Sequence, residues 1–191
     1  THANNTVLNT LGGGDTVHLR TVAGVTVVNT GAGADTTNVQ TIDAKTTVNA
    51  GDGADTINVG SKAPDVNGNV NAISASLTVN GEAGSDTMNV DDTSDTSGNT
   101  GNLTGTALTG LGMSAGITYG TVEDLNISLG SGGDTFTVAS THANNTVLNT
   151  LGGGDTVHIQ TVAGVTVVNT GAEADTINVG SKAPDVNGNV N

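Results

Sequence analysis

Seven times along the chain an Asp is followed by Thr, a second position that is mostly apolar, then Asn, His or Thr, then Val, Leu or Ile. The second positions are Val17, Thr37, Ile57, Met88, Phe136, Val157 and Ile177. The fourth positions are Leu19, Val39, Val59, Val90, Val138, Ile159 and Val179. Alternation with period two turns both sets to one face of a strand and the intervening Thr and Asn to the other. A second apolar stretch precedes each glycine-rich turn, as in Val25 to Val28, Lys45 to Val48, Ser76 to Val79 and Asp124 to Ile127. The pattern predicts two short strands joined by a glycine-rich corner, where positive φ is needed.

The Asp residues are Asp15, Asp35, Asp55, Asp86, Asp134, Asp155 and Asp175, each with Asn or Ser six residues earlier. Successive steps are 20, 20, 31, 48, 21 and 20 residues. A longer period encloses this one. Positions 141–176 match 1–36 except that Leu19 becomes Ile159, Arg20 becomes Gln160 and Gly33 becomes Glu173, and 176–191 repeat 56–71. The second copy therefore omits 20 residues, one whole unit. A stack of coils tolerates removal of a complete coil, because its neighbours remain compatible. The expected fold is all-β: a parallel β-solenoid of the β-roll or β-helix kind. It would have about 20 residues and two short strands per coil, at ~4.8 Å per coil.

In this reading residues 1–140 form one long repeat. A loop insertion falls at about 61–71, where Pro64 and an Asn/Gly run cannot continue a central strand. Residues at about 91–124 read as two irregular coils with an acidic loop. Residues 141–191 begin the next repeat, one coil shorter, within one continuous solenoid expected to be a window on a longer tandem array.

Composition narrows the chemistry. One Phe, one Tyr and no Trp leave Val, Ile and Leu to fill a thin core. The net charge of −14, with four basic residues, excludes phosphate-backbone recognition. No apolar run has the length of a helical membrane span. Without Cys there is neither a disulfide nor a thiolate zinc site. Stacked coils would place equivalent Asp side chains ~4.8 Å apart in a column, an arrangement of like charges that needs compensation. A hard divalent cation supplies it, since Ca²⁺ takes carboxylate and carbonyl oxygens, and glycines free the carbonyls to turn.

Gly31-Ala-Gly33-Ala-Asp35-Thr-Thr-Asn and Gly51-Asp-Gly53-Ala-Asp55-Thr-Ile-Asn resemble the hemolysin-type (repeats-in-toxin) calcium-binding nonapeptide, Gly-Gly-x-Gly-x-Asp-x-hydrophobic-x. The resemblance implies an extracellular bacterial β-roll that binds Ca²⁺ between coils. Asp35 and Asp55 would be carboxylate ligands, and Gly31, Gly33, Gly51 and Gly53 carbonyl ligands. Asp15, Asp86, Asp134, Asp155 and Asp175 match the Asp and part of the glycine pattern. The family carries its motif in both turns of a shorter coil. Here the other turn, Thr21 to Gly24 or Thr41 to Ala44, lacks it, and Glu173 replaces a turn glycine. One column of sites is therefore expected. The long unit also resembles tandem units of giant bacterial surface and adhesin proteins, which implies scaffolding or adhesion.

The Thr-x-Asn face, including Thr16/His18, Thr36/Asn38, Thr56/Asn58 and Thr87/Asn89, reads as a side-chain ladder. As an alternative function it offers a flat face for ice or polysaccharide. His2/His142 and His18/His158 have no partner at metal spacing, and Gly-x-Ser-x-Gly is absent. The acid pairs Asp91-Asp92 and Glu123-Asp124 sit in a scaffold without a unique pocket, so no enzyme is expected. Asn4, Asn102, Asn126 and Asn144 lie in Asn-x-Ser/Thr sequons. The expected function is a calcium-stabilised extracellular structural protein of a fibre, surface layer, biofilm matrix or adhesin stalk. It would self-associate, with glycans as a second partner class and neither nucleic acid nor membrane insertion.

Overall fold

A computed structural model describes residues 4–185; His2 and residues 186–191 of the second loop lie outside them. The described residues form seventeen short strands and no helix. The first four coils are regular. They pair β1 (Thr6–Asn9) with β2 (Thr16–Leu19), β3 (Thr26–Asn29) with β4 (Thr36–Val39), β5 (Thr46–Gly53) with β6 (Thr56–Val59), and β7 (Leu77–Gly84) with β8 (Thr87–Asp91). The odd strands stack in parallel as sheet one and the even strands as sheet two. Registers follow the Asp spacing: Thr26 lies beside Thr46, Thr46 beside Leu77, and Thr56 beside Thr87. The parallel solenoid expected from the repeat is the observed architecture.

Residues 91–124 depart from the two irregular coils expected there. They form a meander within sheet one, made of β9 (Thr100–Thr104), β10 (Ala107–Gly110) and β11 (Ile117–Gly120). β10 is antiparallel to both neighbours, whereas β11 runs parallel to β7. Gly105 and Thr106 make the two-residue turn between β9 and β10. Leu103 to Tyr119 therefore remain inside the stack.

The chain then returns to sheet two as β12 (Asp124–Ser128), beside β8. There follow β13 (Thr135–Val138), β14 (Asn145–Asn149), β15 (Thr156–Ile159), β16 (Thr166–Asn169) and β17 (Thr176–Val179). Sheet one runs β1-β3-β5-β7-β11-β10-β9-β13-β15-β17, and sheet two runs β16-β14-β12-β8-β6-β4-β2. The strands that precede the glycine turn lie in sheet one before the meander and in sheet two after it. Three strands inserted into one sheet shift the sequence unit by half a coil.

The two sheets enclose one apolar core that includes Val28, Val48, Ile57, Met88, Leu125, Ile127, Phe136 and Val157. Both aromatic residues sit at the half-coil shift. Phe136 pairs in register with Gly101, where a Cβ would lie 2.4 Å from its ring, so the large side chain fits only over a glycine. Tyr119 is buried and its hydroxyl donates to the Thr104 carbonyl at 2.6 Å. Burial pushes that hydroxyl's pKa up to about 12. The regular coils use small residues instead, burying Thr26, Thr30, Thr46, Thr146 and Thr150. A buried hydroxyl needs a partner. Thr30 Oγ1 donates to the Ala50 carbonyl, and Thr150 Oγ1 to the Thr170 carbonyl at 2.9 Å.

Candidate functional site: two carboxylate columns

Each glycine corner turns the chain from one sheet to the other and ends at an Asp. Close stacking favours glycine at these corners, although Leu11, Glu82, Leu151 and Glu173 take positive φ at equivalent positions. Gly31 and Gly51 have positive φ, and a Cβ on Gly51 would lie 1.8 Å from the Gly31 carbonyl of the coil before it. Corner backbones interlock: Gly31 O accepts from Asp52 N at 2.8 Å, and Gly53 O from Ser85 N at 3.3 Å.

The Asp side chains link the corners along the axis. Asp15 N donates to Asp35 Oδ1 at 2.7 Å, Asp35 N to Asp55 Oδ1 at 2.7 Å, and Asp55 N to Asp86 Oδ1 at 2.9 Å. Asp86 N donates to Glu123 Oε2 at 2.8 Å. A second chain begins at Asn99, whose N–H donates to Asp134 Oδ1 at 2.7 Å. It continues from Asp134 N to Asp155 Oδ1 at 2.8 Å and from Asp155 N to Asp175 Oδ1 at 2.9 Å.

The expected single column of seven is therefore two, Asp15-Asp35-Asp55-Asp86 and Asp134-Asp155-Asp175. In the first the corner passes from sheet one to sheet two; in the second it passes from sheet two to sheet one. In a stack of parallel strands those crossings fall on opposite edges. Glu123 and Asn99 complete the column ends. The signal that could have found Asn99 is Gly98 before it and Thr100-Gly101-Asn102-Leu103 after it, the pattern around each column Asp with Asn in the Asp place, whereas Glu123 has no such context.

Every column carboxylate except that of Asp15 accepts one of these bonds at Oδ1. Oδ2 is buried and has no hydrogen-bond partner in five residues: Asp15, Asp35, Asp55, Asp86 and Asp155. Leaving a charged oxygen buried without a partner is costly. Three column carboxyls, Asp55, Asp86 and Asp134, are harder to ionise than a free carboxyl. Desolvation pushes the Asp86 carboxyl up to about 6, with the Asp55 and Glu123 charges adding to the rise. Desolvation, then the Asp35 charge, raises Asp55, while the N–H of Asp35 opposes them. Asp134 is raised by desolvation and by Asp155 and Asp95, against the N–H of Asn99.

No family model, curated protein or solved structure matches this chain.

The chemistry available at the columns is that of hard oxygen donors. Among the described residues no three His, Cys, Asp or Glu side chains converge as a metal-binding cluster. An ion held here would draw on one or two carboxylates and on corner carbonyls. Gly31 and Gly53 already accept one N–H each, and a carbonyl oxygen has a second lone pair. Gly33 and Gly51 stand at the same corners with positive φ.

The outer faces carry the expected Asn ladder and one that was not expected. On sheet two, Asn38 contacts His18 at 3.3 Å, Asn58 donates to Asn38, Asn89 to Asn58 and Asn126 to Asn89. On sheet one, Asn29, Asn49 and Asn80 each donate to the Asn one coil earlier, ending at Asn9. The signal for this second ladder was the polar residue six before each Asp, which marks register in the sequence and forms amide rungs in the fold.

Proposed function

We propose that this chain is a structural repeat of an extracellular bacterial protein. Its coils would be held by Ca²⁺ along two edges, forming part of a fibre, surface layer, biofilm matrix or adhesin stalk. The observation that carries this reading is the set of five buried, unpartnered carboxylate oxygens, four in successive coils of the first column and one, that of Asp155, in the second. The charges acting on Asp55 and Asp86 are acidic. A hard cation satisfies both the orphaned oxygen and the charge, with Asp35, Asp55, Asp86 and Asp155 as carboxylate donors and corner carbonyls beside them. The resemblance of the Gly31–Asp35 and Gly51–Asp55 segments to calcium-binding nonapeptides supports the same ion. The contribution of the protein is mechanical: parallel strands propagate one core, and bound ions would tie successive corners together. Catalysis has no part in this reading.

Thermal melts followed by circular dichroism, in millimolar Ca²⁺ and then in excess chelator, test it. Ligand linkage predicts stabilisation of about 2.7 kcal/mol for each site filled at a hundred times its Kd. A melting point that rises with Ca²⁺ and falls with chelator supports the reading. Superimposed melts would remove calcium from it and leave the Asp residues as corner braces.

A further inference from the structure

The loop that interrupts the third coil recurs without a substitution, residues 180–191 repeating 60–71. It is also held in place from both neighbouring coils. From the coil before, Gln40 Nε2 donates to the Ala63 carbonyl at 2.7 Å. From the coil after, Asp91 Oδ2 accepts from Gly68 N at 2.6 Å and Asp92 Oδ1 from Val70 N at 3.0 Å. Asn71 Nδ2 donates to Asp95 Oδ2 at 3.0 Å.

The second copy keeps the anchor in a telling way. Gln160 Nε2 donates to the Ala183 carbonyl at 2.9 Å, as Gln40 does to Ala63. Yet by alignment Gln160 replaces Arg20, not Gln40. Loss of one coil brought the Arg20 position directly below the loop, and a Gln stands there. The anchor follows the loop rather than the sequence position, which marks the loop as a feature the repeat retains.

Between the first loop and sheet two lies a cavity of about 240 Å³. Its floor is the amide ladder of Asn58, Asn89 and Asn126, and its lip is Pro64, Asp65 and Val66. Asn89 Nδ2 donates to Asn58 Oδ1, and Asn126 Nδ2 to Asn89 Oδ1, each at 2.9 Å. A primary amide has two N–H donors and two lone pairs, so a rung bonded on both sides keeps one of each. The floor thus offers donors and acceptors in alternation at strand spacing. Val66 is 69% exposed and presents an apolar edge above it.

No Lys or Arg lines the cavity, while Asp65 and Asp91 do. In a chain of net charge −14 this disfavours phosphate, sulfate or uronate groups. We propose that the cavity binds a neutral saccharide ring, with its hydroxyls on the Asn58, Asn89 and Asn126 amides and its C–H face against Pro64 and Val66. This goes beyond the calcium-supported scaffold and confines glycan recognition to one place on the ladder face.

Saturation-transfer NMR in millimolar Ca²⁺ tests it, with cellotetraose and chitotetraose as neutral probes and tetragalacturonate as the anionic one. The variant is Asp65→Ala with Val66→Ser, both on the exposed lip; Val162→Ser, exposed and remote from the cavity, is the control. A saturable signal is expected from a neutral tetrasaccharide, with none from tetragalacturonate. The lip variant should weaken it by about fivefold or more without moving the melt, and the control should leave it intact. The proposal is overturned if neither neutral probe saturates, if the anionic probe binds equally, or if the lip variant binds as the parent does.

Discussion

The coils before residue 91 and those after residue 124 are built from the same unit but stand in exchanged sheets. Thr6 to Asn9 and Thr146 to Asn149 are identical in sequence. The first forms β1 of sheet one, and the second lies in β14 of sheet two. The exchange works because the two strand types present the same profile. At the boundary Leu125 lies beside Met88 and Ile127 beside Val90, all inward, and Asn126 bonds Asn89 outward. The core therefore crosses the shift without a break, while the amide ladder of sheet two extends one rung past it to Asn126, whose next neighbour in register is Val147. A strand in this protein is specified by its alternation and corner, not by the sheet it joins. A consequence is that features of the repeat change sides, the first loop following β6 of sheet two and the second following β17 of sheet one.

The largest expected break is at the shift itself. Phe136→Ala empties the space above Gly101 and should cost ~3–5 kcal/mol in equilibrium urea unfolding. Gly101→Val should be comparably harmful from the opposite side, since a Cβ there meets the Phe136 ring at 2.4 Å. Val167, in a regular coil and 43% exposed, should tolerate Ala with a much smaller loss.

Acidity distinguishes the carboxylates next. Desolvation pushes Asp92, which braces the first loop, up to about 7, against the Val70 N–H and with the Asp95, Asp134 and Asp91 charges adding to the rise. Asp86 lies at about 6, and Asp55 and Asp134 are also raised. In each case the folded state holds its proton more tightly than the unfolded chain. Stability from these groups is therefore fully present at low pH and is lost as pH rises from near 4 through the folded values. Asp95 runs the other way, held low first by the Ser97 N–H and then by the Asn71 and Asn99 amides against desolvation. In chelator, melts should show the protein more stable at pH 5 than at pH 8, by an amount on the order of a few kcal/mol. Calcium should shrink that difference by favouring the ionised carboxylates.

Smaller effects probe the ladders and anchors. Asn49→Ala removes the bonds to Asn29 and from Asn80 and should cost ~1–2 kcal/mol. Gln160→Arg restores the residue of the first copy and should cost ~1 kcal/mol by freeing the Ala183 carbonyl. Arg20→Gln should gain nothing comparable, because the coil above it carries no loop.

The coil, its two strands and its inward face were legible because Asp, Thr and alternating apolar residues recur at constant spacing. The loop was legible from Pro64 and its Asn/Gly run. The exchange of sheets was not, because a step of 48 residues between Asp86 and Asp134 gives length without direction. The Gly105-Thr106 hairpin turn was the available clue, and its meaning depends on an odd number of strands entering one sheet. The division into two columns was hidden for the same reason. Burial of the free Asp oxygens could not be read either, since it arises from packing between coils that the spacing brings together but does not describe.

The most direct test of the account is a calorimetric Ca²⁺ titration of the parent and two variants. One carries Asp35→Asn, Asp55→Asn and Asp86→Asn; the other carries Asp134→Asn and Asp155→Asn. The account predicts saturable binding by the parent and reduced but separate binding in each variant, because each keeps the column on its other edge. Absence of binding by the folded parent, with both variants indistinguishable from it, would contradict the claim that the two carboxylate columns are calcium sites.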